Sequence, residues 1–289
     1  MSPFEILGTC SITPAEIESF NSLDRNAPVE YRELAVLLAS RWQRTGSPII
    51  GIGGGQGTGK STLCSLVEHA SRICGDTIAI LCLDDFYLTK SERIALAKSI
   101  HPSLQTRGPP GTHDVDRLMD TVENLSQGRP VTVPVFDKGL DDRVGVRSVD
   151  AGTARVVIEG WCVGAAAEPV DRLNNPINRL ERQEDAGGKC RTWINDQLAG
   201  PYRRLTTMLN ELVFIRTVNM EHVRKWRLRQ EQERPRHLRM DKASIHKFIE
   251  HYERITMWML EDLVCKADVV VTLDERHEIS ALSGFEQRQ

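Results

Sequence analysis

One segment restricts the fold of this chain more than any other: residues 54–61, which read GGQGTGKS. It fits the pattern G-x-x-x-x-G-K-[ST], in which glycines let backbone N–H groups curl around a phosphate chain. An apolar run, Ile49 to Ile52, precedes the segment, and apolar residues at helical spacing follow it: Leu63, Leu66, Val67 and Ala70. A strand, this loop and a helix, in that order, are the context that the pattern requires. The segment therefore predicts a phosphate-binding loop that holds ATP or GTP.

Each part of this loop has an expected role toward a nucleotide. The helix after the loop adds the positive end of its dipole to the backbone N–H groups. Lys60 is expected to reach the β- and γ-phosphates, and the Ser61 hydroxyl is expected to bind Mg²⁺. The nucleotide-binding residues predicted here are Gly54, Gly55, Gln56, Gly57, Thr58, Gly59, Lys60, Ser61 and Thr62.

Composition excludes several classes of partner for this chain of 289 residues. Lys+Arg 37 against Asp+Glu 40 leave a net charge of −3, so no overall field attracts nucleic acid or an anionic membrane. No apolar stretch approaches the ~20 residues that span a bilayer. The seven cysteines form no C-x-x-C pair, which favours a reducing compartment. We expect a cytoplasmic protein with a small-molecule substrate and neither nucleic acid nor a membrane as partner.

Strand-like and helical patterns alternate along the rest of the chain. After the first strand, short apolar runs recur at residues 77–83, 156–158, 212–217 and 267–273, with helical patterns between them. Such alternation predicts one doubly wound parallel sheet and not two independent domains. Between the third and fourth runs we expect a helix-poor insertion followed by a helix from Thr192 to Leu209. After the fifth run we expect only a polar tail.

Helical patterns also precede the first strand. One helix is expected to end near Ser22, and a second is expected from Val29 to Arg44. The sequence therefore divides into an N-terminal helical extension, residues 1–47, that packs on a core domain of residues 48–289.

Acidic residues follow two of the predicted strands. Asp84 and Asp85 come directly after the second run, with Tyr87 close behind, and Glu159 follows the third. Because ligands bind at the carboxyl ends of strands in such sheets, these acids are expected near the phosphate loop. A carboxylate there can take the proton of an attacking hydroxyl or hold Mg²⁺. An aspartate can also simply cap a helix or a turn, and the pattern leaves that alternative open for Asp84 and Asp85.

A loop rich in proline and glycine, residues 101–114, carries Arg107 and His113. Since an arginine can bind a carboxylate through two hydrogen bonds, a rigid loop of this kind suits recognition of a small anion. The alternative is an ordinary connection with solvated charges. Lys138, at the end of a further short strand, is another candidate for contact with the substrate.

A strongly basic stretch at residues 221–239 is predicted to be helical, with a break near Pro235. Such a run is often a solvated helix face. In a phosphate-loop enzyme it can instead form a mobile lid, here about residues 219–242, whose arginines close over the transferred phosphate.

Several motifs give the chain a family resemblance that extends over roughly four-fifths of its length. In order, they are GGGQGTGKST, LDDFYLT, TRGPPGTHD, VFDKGLDDR, IEGWCVG, NPINRLE, TWINDQL and WRLRQE. With them the chain resembles the phosphate-loop kinases related to uridine kinase, phosphoribulokinase and pantothenate kinase, and within these the D-glycerate 3-kinase family. The first motif is widespread, whereas RGPPGTHD, FDKGLDDR and EGWCVG together indicate the narrower family.

The resemblance implies an ATP- and Mg²⁺-dependent kinase that phosphorylates a hydroxyl group of a small organic acid, with D-glycerate and 3-phosphoglycerate as the expected pair. It also implies a five-stranded parallel sheet with the phosphate-loop strand in the centre. Asp84 matches the position of the general base, Asp85 is secondary unless the two roles are reversed, and Glu159 matches the second acid, which binds the metal with Ser61. Lys60 completes the catalytic group.

The resemblance places three arginines in the lid region without a one-to-one match, Arg224, Arg227 and Arg229, of which Arg227 is our candidate for contact with the nucleotide. Among the groups that hold the acceptor, Arg107 is the first candidate for its carboxylate, before His113 and Lys138, with Asp85 and Tyr87 nearby.

Two other functions stay open on the sequence. One is a kinase for another small alcohol, such as pantothenate or a nucleoside. The other is a regulator that binds ATP without turnover, although such a protein need not keep Lys60, Ser61, Asp84 and Glu159 together.

Overall fold

The structure of the chain, a computed structural model, describes residues 14–150, 152–233, 239 and 241–285. In these ranges the strands are β1 (Ile49–Gly54), β2 (Ile78–Cys82), β3 (Val131–Asp137), β4 (Asp142–Val149), β5 (Arg155–Gly160), β6 (Glu211–Arg216), β7 (Val269–Leu273) and β8 (Ile279–Ser283). The α-helices are α1 (Pro14–Ser22), α2 (Val29–Thr45), α3 (Lys60–Ile73), α4 (Lys90–Ser99), α5 (Val115–Ser126), α6 (Arg179–Glu184), α7 (Lys189–Gln197), α8 (Arg203–Met208), α9 (Met220–Glu233) and α10 (Lys242–Asp262).

The main sheet has the strand order β2-β5-β1-β6-β7-β8. The first five strands in this order run parallel, and β8 pairs antiparallel with β7. The strand that precedes the phosphate loop, β1, lies in the interior of the sheet between β5 and β6. The ends of β1, β2 and β5 therefore lie side by side at one edge, which brings together the residues that follow them.

Helices cover both faces of the sheet. On one face α2 and α3 pack on alternate strand residues, among them Ile50, Ile52 and Val213. On the other face α5, α8 and α10 pack on the residues between those, such as Ile158 and Phe214. Parallel strands that are buried on both faces read as continuous apolar runs, and this is why the sequence pattern located them.

The predicted α/β class and its five parallel strands are confirmed, and the structure adds details that the patterns did not contain. The segment after β7 forms β8, where we expected only a polar tail; a tight turn in which the Asp274 N–H donates to the carbonyl of Glu278 returns the chain along the sheet edge.

Strands β3 and β4 form a separate antiparallel hairpin. Two arginines of β4 attach it to the rest of the protein: Arg143 donates to the carbonyl of Tyr87, and Arg147 donates to the carbonyl of Ile80.

The segment between β5 and β6 is more helical than we expected. Helix α6 begins at Arg179 because the Asn178 side chain accepts from the N–H of Glu181. The helix predicted from Thr192 begins earlier, at Lys189. It then passes through a π-helical segment, Leu198–Tyr202, in which Pro201 cannot donate a backbone hydrogen bond.

The N-terminal helices and the lid were predicted partly on residues outside the described ranges. Helices α1 and α2 lie where the sequence predicted them, while residues 1–13 of the predicted extension are not among those described. Helix α9 covers the basic stretch as far as Glu233 and packs on α10 through Val223, Ile245 and Ile249. The described ranges leave out residues 234–238, which include Pro235, and residue 240. In the described part of the chain, no helix is long and apolar enough to cross a membrane.

Candidate active site

The phosphate loop has the backbone that its glycines predicted. Gly54, Gly57 and Gly59 have φ of 153°, 77° and 79°, a region in which side chains are strained. A Cβ atom at Gly54 would lie 2.7 Å from the carbonyl oxygen of Ile215, and one at Gly59 would lie 2.8 Å from the ring of Tyr31. The loop is therefore packed from behind and has room only for glycine at these positions.

Lys60 folds over the loop that precedes it. Its Nζ donates to the carbonyl oxygens of Gly54 and Gly55 at 2.8 and 2.9 Å. Burial lowers the pKa of Lys60, and the charges of Glu159 and Asp84 act against that shift. An ammonium group held this way stands at the mouth of the loop, where a phosphate would offer it stronger, charged acceptors.

Ser61 and Glu159 meet across the end of the sheet. The Ser61 hydroxyl donates to Oε1 of Glu159 at 3.0 Å, and the Glu159 side chain lies at the end of buried strand β5. A hydroxyl and a carboxylate are oxygen ligands of the kind that Mg²⁺ prefers, and Mg²⁺ commonly takes its remaining ligands from phosphate and water. Buried Gln56 Nε2 next to them has no hydrogen-bond partner among the described residues. This donor set fits a metal–nucleotide complex.

Asp84 is paired with Lys138 on one side of the cavity described below. The two charged groups are 2.6 Å apart, and the Tyr87 hydroxyl also hydrogen-bonds to the Asp84 carboxylate. Burial alone would raise the pKa of Asp84, but the charge and hydrogen bond of Lys138 outweigh it, and the net pKa is lowered. Desolvation acts to lower the pKa of Lys138, but the charge and hydrogen bond of Asp84 outweigh it, and the net pKa is raised. Asp84 is therefore an ionised carboxylate that is able to accept a hydrogen bond from a hydroxyl group.

Asp85 points elsewhere. Its carboxylate accepts from the backbone N–H of Phe136 at 3.4 Å and lies 4.0 Å from Arg147, both on the β3–β4 hairpin. Burial raises the pKa of Asp85, opposed by that backbone hydrogen bond. The structure thus separates the two adjacent acids: Asp84 lines the cavity, and Asp85 contacts the β3–β4 hairpin.

One cavity of about 220 Å³ brings together most of the predicted site residues. On the phosphate side it is lined by Gln56, Gly57, Lys60, Ser61 and Glu159, and on the other side by Asp84, Tyr87, Arg107, Lys138 and Arg227. Aromatic side chains complete the wall. Two predicted contacts with substrate, Asp85 and His113, are not among the lining residues described.

Arg107 enters the cavity from a loop that aromatic residues hold in place. The Tyr252 hydroxyl donates to the carbonyl of Arg107, and the Trp161 indole N–H donates to the carbonyl of Gly108, both at 3.1 Å. Gly108 has φ of 126°, and a Cβ atom there would lie 2.1 Å from the Tyr252 hydroxyl. At the next glycine, Gly111, a Cβ atom would lie 2.3 Å from the Trp193 ring. Close packing therefore explains the glycines of the RGPPGTHD segment.

His113 turns away from the cavity and supports it from behind. Its Nδ1 is 2.5 Å from the Tyr202 hydroxyl, and its ring stacks on Tyr87 with 4.2 Å between centroids. Burial lowers the pKa of His113 to about 4, although the nearby Asp84 charge acts in the opposite direction. His113 is therefore neutral at physiological pH and positions Tyr87, which in turn contacts Asp84.

Of the three arginines considered on helix α9, Arg227 reaches the cavity. Its guanidinium group is 3.1 Å from Glu231 and lies over the Phe248 ring. Arg224 is paired with Glu253 on α10, and Arg229 is exposed. Because a helix rotates by about 100° per residue, Arg229 is turned about 200° away from Arg227 and cannot face the cavity with it. Arg224 lies on the same side of the helix as Arg227, and its pairing with Glu253 directs it to α10.

The sequence did not indicate two residues that hold the phosphate loop from outside. The Tyr31 hydroxyl on α2 donates to the carbonyl of Thr58 at 2.7 Å. His277, in the turn between β7 and β8, donates from Nε2 to the carbonyl of Gly57 at 2.6 Å, and Trp226 of α9 packs edge-on against its ring. Both residues lie far from the loop in sequence, and no local pattern links them to it. Trp161, by contrast, could have been found, because it follows Glu159 within the IEGWCVG motif.

Comparisons with known proteins agree with this geometry. No family model matches the chain. Over 219 residues the chain is 32% identical to the uncharacterized kinase mug58 of Schizosaccharomyces pombe, a match that covers 71% of this chain and 78% of that protein. It is 27% identical over 197 residues to the chloroplastic D-glycerate 3-kinase of Arabidopsis thaliana, covering 63% of this chain and 41% of that protein. The structure of D-glycerate 3-kinase from Cryptococcus neoformans has the same fold, with a TM-score of 0.72 at 23% identity over 90% of this chain and 100% of that one.

Proposed function

We propose that this chain, which belongs to the family of phosphate-loop kinases that includes mug58 and D-glycerate 3-kinase, transfers the γ-phosphate of ATP to a hydroxyl group of D-glycerate, giving 3-phosphoglycerate. The observation that carries this proposal is the single cavity in which Lys60, Ser61 and Glu159 stand opposite Asp84, Lys138 and Arg107. A phosphate donor on one side and a hydroxy acid on the other would be held within reach of each other.

On the donor side, the loop backbone and Lys60 would bind the phosphates of ATP, and Ser61 with Glu159 would hold Mg²⁺. When bound, Mg²⁺ would neutralise charge on the phosphate oxygens. Lys60 then has a second task, since its ammonium group would leave the carbonyls of Gly54 and Gly55 for the γ-phosphate. Arg227 would add positive charge from the lid and help to exclude water.

On the acceptor side, the hydroxyl oxygen of the acid would attack the γ-phosphorus as the bond to the β-phosphate oxygen breaks. Asp84 would take the hydroxyl proton late, because phosphoryl transfer is loose and depends more on position than on basicity. The carboxylate of the acid would be bound by Arg107, with Lys138, which is paired with Asp84, as a second cation that lines the cavity.

The aromatic wall of the cavity bears on the alternative of a nucleoside substrate. Stacking on a base requires an aromatic face free of other contacts. Trp161 and Tyr252 are 4% and 3% exposed, and their polar atoms hold the Arg107 loop. Phe248 is covered by the Arg227 guanidinium group. The aromatic residues therefore support the loop more than they offer a surface for a base, which favours a small acid.

A coupled ADP-release assay tests the function with four acceptors: D-glycerate, L-glycerate, pantothenate and uridine. We expect strong stimulation by D-glycerate alone. If pantothenate or uridine stimulates ADP release and glycerate does not, that acceptor is the substrate. ADP release that no acceptor stimulates would favour a regulator that binds ATP without turnover. Identification of the product as 3-phosphoglycerate by its mass and by conversion with a downstream enzyme completes the assignment.

A further inference from the structure

We infer that Asp141, anchored by Arg93, is a positioning residue that holds Arg107 in the orientation that binds the carboxylate of the acceptor. This inference deepens the proposed function and rests on it. Neither Arg93 nor Asp141 is among the site residues that the sequence predicted, and neither lines the cavity described above.

The Asp141 carboxylate bridges two guanidinium groups. Oδ1 lies 2.5 Å from Nη1 of Arg107, and Oδ2 lies 3.0 Å from Nη2 of Arg93. Both guanidinium groups also lie over the ring of Phe136, at 5.7 and 5.9 Å from its centroid. A chain of two ion pairs therefore connects the interior to a side chain at the cavity.

Arg93 is the fixed end of these two linked ion pairs. Its side chain is fully buried, and it donates to backbone carbonyls of three separate segments: Leu88 at 3.2 Å, Gln105 at 2.8 Å and Asp141 at 2.6 Å. A buried charge is tolerated only when its hydrogen bonds are made, and here they join the segment after β2, the loop before Arg107 and the hairpin turn. The position of Asp141 is thus set from inside the protein.

Arg107 is the end that can act on a ligand. An unrestrained arginine has several rotatable bonds, and fixing them on binding costs free energy. The hydrogen bond to Asp141 engages Nη1 and so restrains the side chain, while the planar guanidinium group has five N–H donors in all. The remaining donors can meet a carboxylate without displacing Asp141. Pre-orientation of this kind is expected to affect the affinity for the acceptor and not the affinity for ATP.

The backbone of Asp141 allows a clean substitution. Its φ is 57°, in the left-handed region where asparagine and aspartate are the most tolerated side chains after glycine. Asp141→Asn therefore keeps the turn and removes only the charge. The neighbouring acid gives a matched control, because Asp142, the first residue of β4, accepts from the backbone N–H groups of Lys90 and Arg143, and its hydrogen bonds do not involve Arg107.

The test compares steady-state kinetics of the wild type, Asp141→Asn and Asp142→Asn for each acceptor that the wild type uses. Charge-assisted hydrogen bonds are roughly twice as strong as neutral ones, so we expect Asp141→Asn to raise KM for a carboxylate acceptor on the order of tenfold. KM for ATP should stay within about twofold, and Asp142→Asn should leave both values near those of the wild type.

A double variant shows whether Asp141 acts through Arg107. In an Arg107→Lys background, whose acceptor KM is already raised, adding Asp141→Asn should produce little further change. A purely structural role would give additive effects, and it would also change KM for ATP. Additive effects, equal effects of Asp141→Asn and Asp142→Asn, or an unchanged acceptor KM would each overturn the inference.

The outcomes also separate this inference from the proposed function. If the wild type phosphorylates D-glycerate and Asp141→Asn leaves its KM unchanged, the inference fails alone. If the wild type uses pantothenate and not glycerate, and Asp141→Asn raises the KM for pantothenate, only the proposed substrate fails. A wild type that uses uridine alone, or that neither phosphorylates nor binds any carboxylate acceptor in a calorimetric titration, overturns both.

Discussion

Asp84 and Asp85 show how strongly the surroundings of a residue decide its chemistry. They are adjacent at the end of β2, yet Lys138 lowers the pKa of the Asp84 carboxyl while burial raises that of Asp85. Asp84 also hydrogen-bonds to Tyr87 and faces the cavity, whereas Asp85 contacts the hairpin. The environment therefore favours Asp84 as the group that accepts the proton.

The two acids give a matched pair of variants. Asp84→Asn keeps the shape of the side chain and removes its basicity, so kcat should fall on the order of 10²- to 10⁴-fold with little change in KM for ATP. Asp85→Asn should lower kcat by less than about threefold, since its carboxylate lies outside the cavity. Steady-state kinetics of both variants check this. Near-normal turnover by Asp84→Asn, or a larger loss in Asp85→Asn, would show that the assignment of the base is wrong.

His113 should make the stability of the protein depend on pH. Its pKa is about 4 in the folded chain, because burial disfavours the charged ring, against about 6.5 when unfolded. Between these values the unfolded state binds a proton that the folded state does not. The stability that depends on a neutral His113 should therefore be fully present above pH 6.5. The free energy of unfolding should fall by about 3 kcal/mol as the pH decreases to 4.

Replacing the histidine isolates this effect. His113→Phe keeps a ring against Tyr87 but cannot titrate. Between pH 7 and pH 4.5, the wild type should therefore lose about 2–3 kcal/mol more of its free energy of unfolding than the variant does. Denaturant unfolding at the two pH values measures the difference. If both proteins lose the same amount of stability, His113 is not the group responsible.

At the scale of secondary structure, helix α9 has one face toward the cavity and others toward α10 and solvent. Met220 and Val223 pack on α10, Trp226 packs on His277, and Arg227 enters the cavity. Since His277 also binds the carbonyl of Gly57, the helix is connected to the phosphate loop through two side chains. The basic stretch therefore has packed, cavity-facing and solvent-exposed faces, and it is not uniformly solvated.

This sidedness predicts different effects for two nearby arginines. Arg227→Ala removes a cation from the cavity and should lower kcat on the order of 10²-fold, because a charge that stabilises the transferred phosphate is lost. Arg229→Ala removes an exposed charge of the same helix and should change kcat by less than about twofold. Parallel measurement of kcat in the two variants checks the prediction, and similar losses in both would contradict it.

At the scale of the whole molecule, the N-terminal helices share the core of the sheet. Leu34, Leu38 and Trp42 of α2 are fully buried in the same cluster as Ile50 and Val213. The Trp42 indole N–H also donates to the Glu211 carboxylate at the start of β6, at 3.1 Å. We propose on this basis that the N-terminal extension and the kinase core unfold as one unit.

Truncation of the buried tryptophan tests this cooperativity. Trp42→Ala should lower the free energy of unfolding by about 3–5 kcal/mol, because it leaves a cavity and removes one of the two hydrogen bonds to Oε1 of Glu211, the other coming from Arg41. Its unfolding should remain a single transition, coincident by circular dichroism and fluorescence. Arg44→Ala, exposed on the same helix, should change stability by less than about 0.5 kcal/mol. Two separate transitions would show that the extension is an independent unit.

The sequence alone determined the parts of this protein that depend on neighbours in the chain. The phosphate loop needs glycines at fixed spacing, buried parallel strands read as apolar runs, and amphipathic helices repeat at 3.6 residues. For that reason the sequence alone locates residues 54–62, the five parallel strands and the acids after β2 and β5.

Only the tertiary structure decided which of these residues meet. It separated Asp84 from Asp85, turned His113 toward Tyr202, and selected Arg227 from the basic helix. It also brought Tyr31 and His277 to the phosphate loop from 27 and 220 residues away. Such contacts depend on packing between distant segments, where one rotamer or one helical turn changes the partner of a side chain, and no local pattern records them.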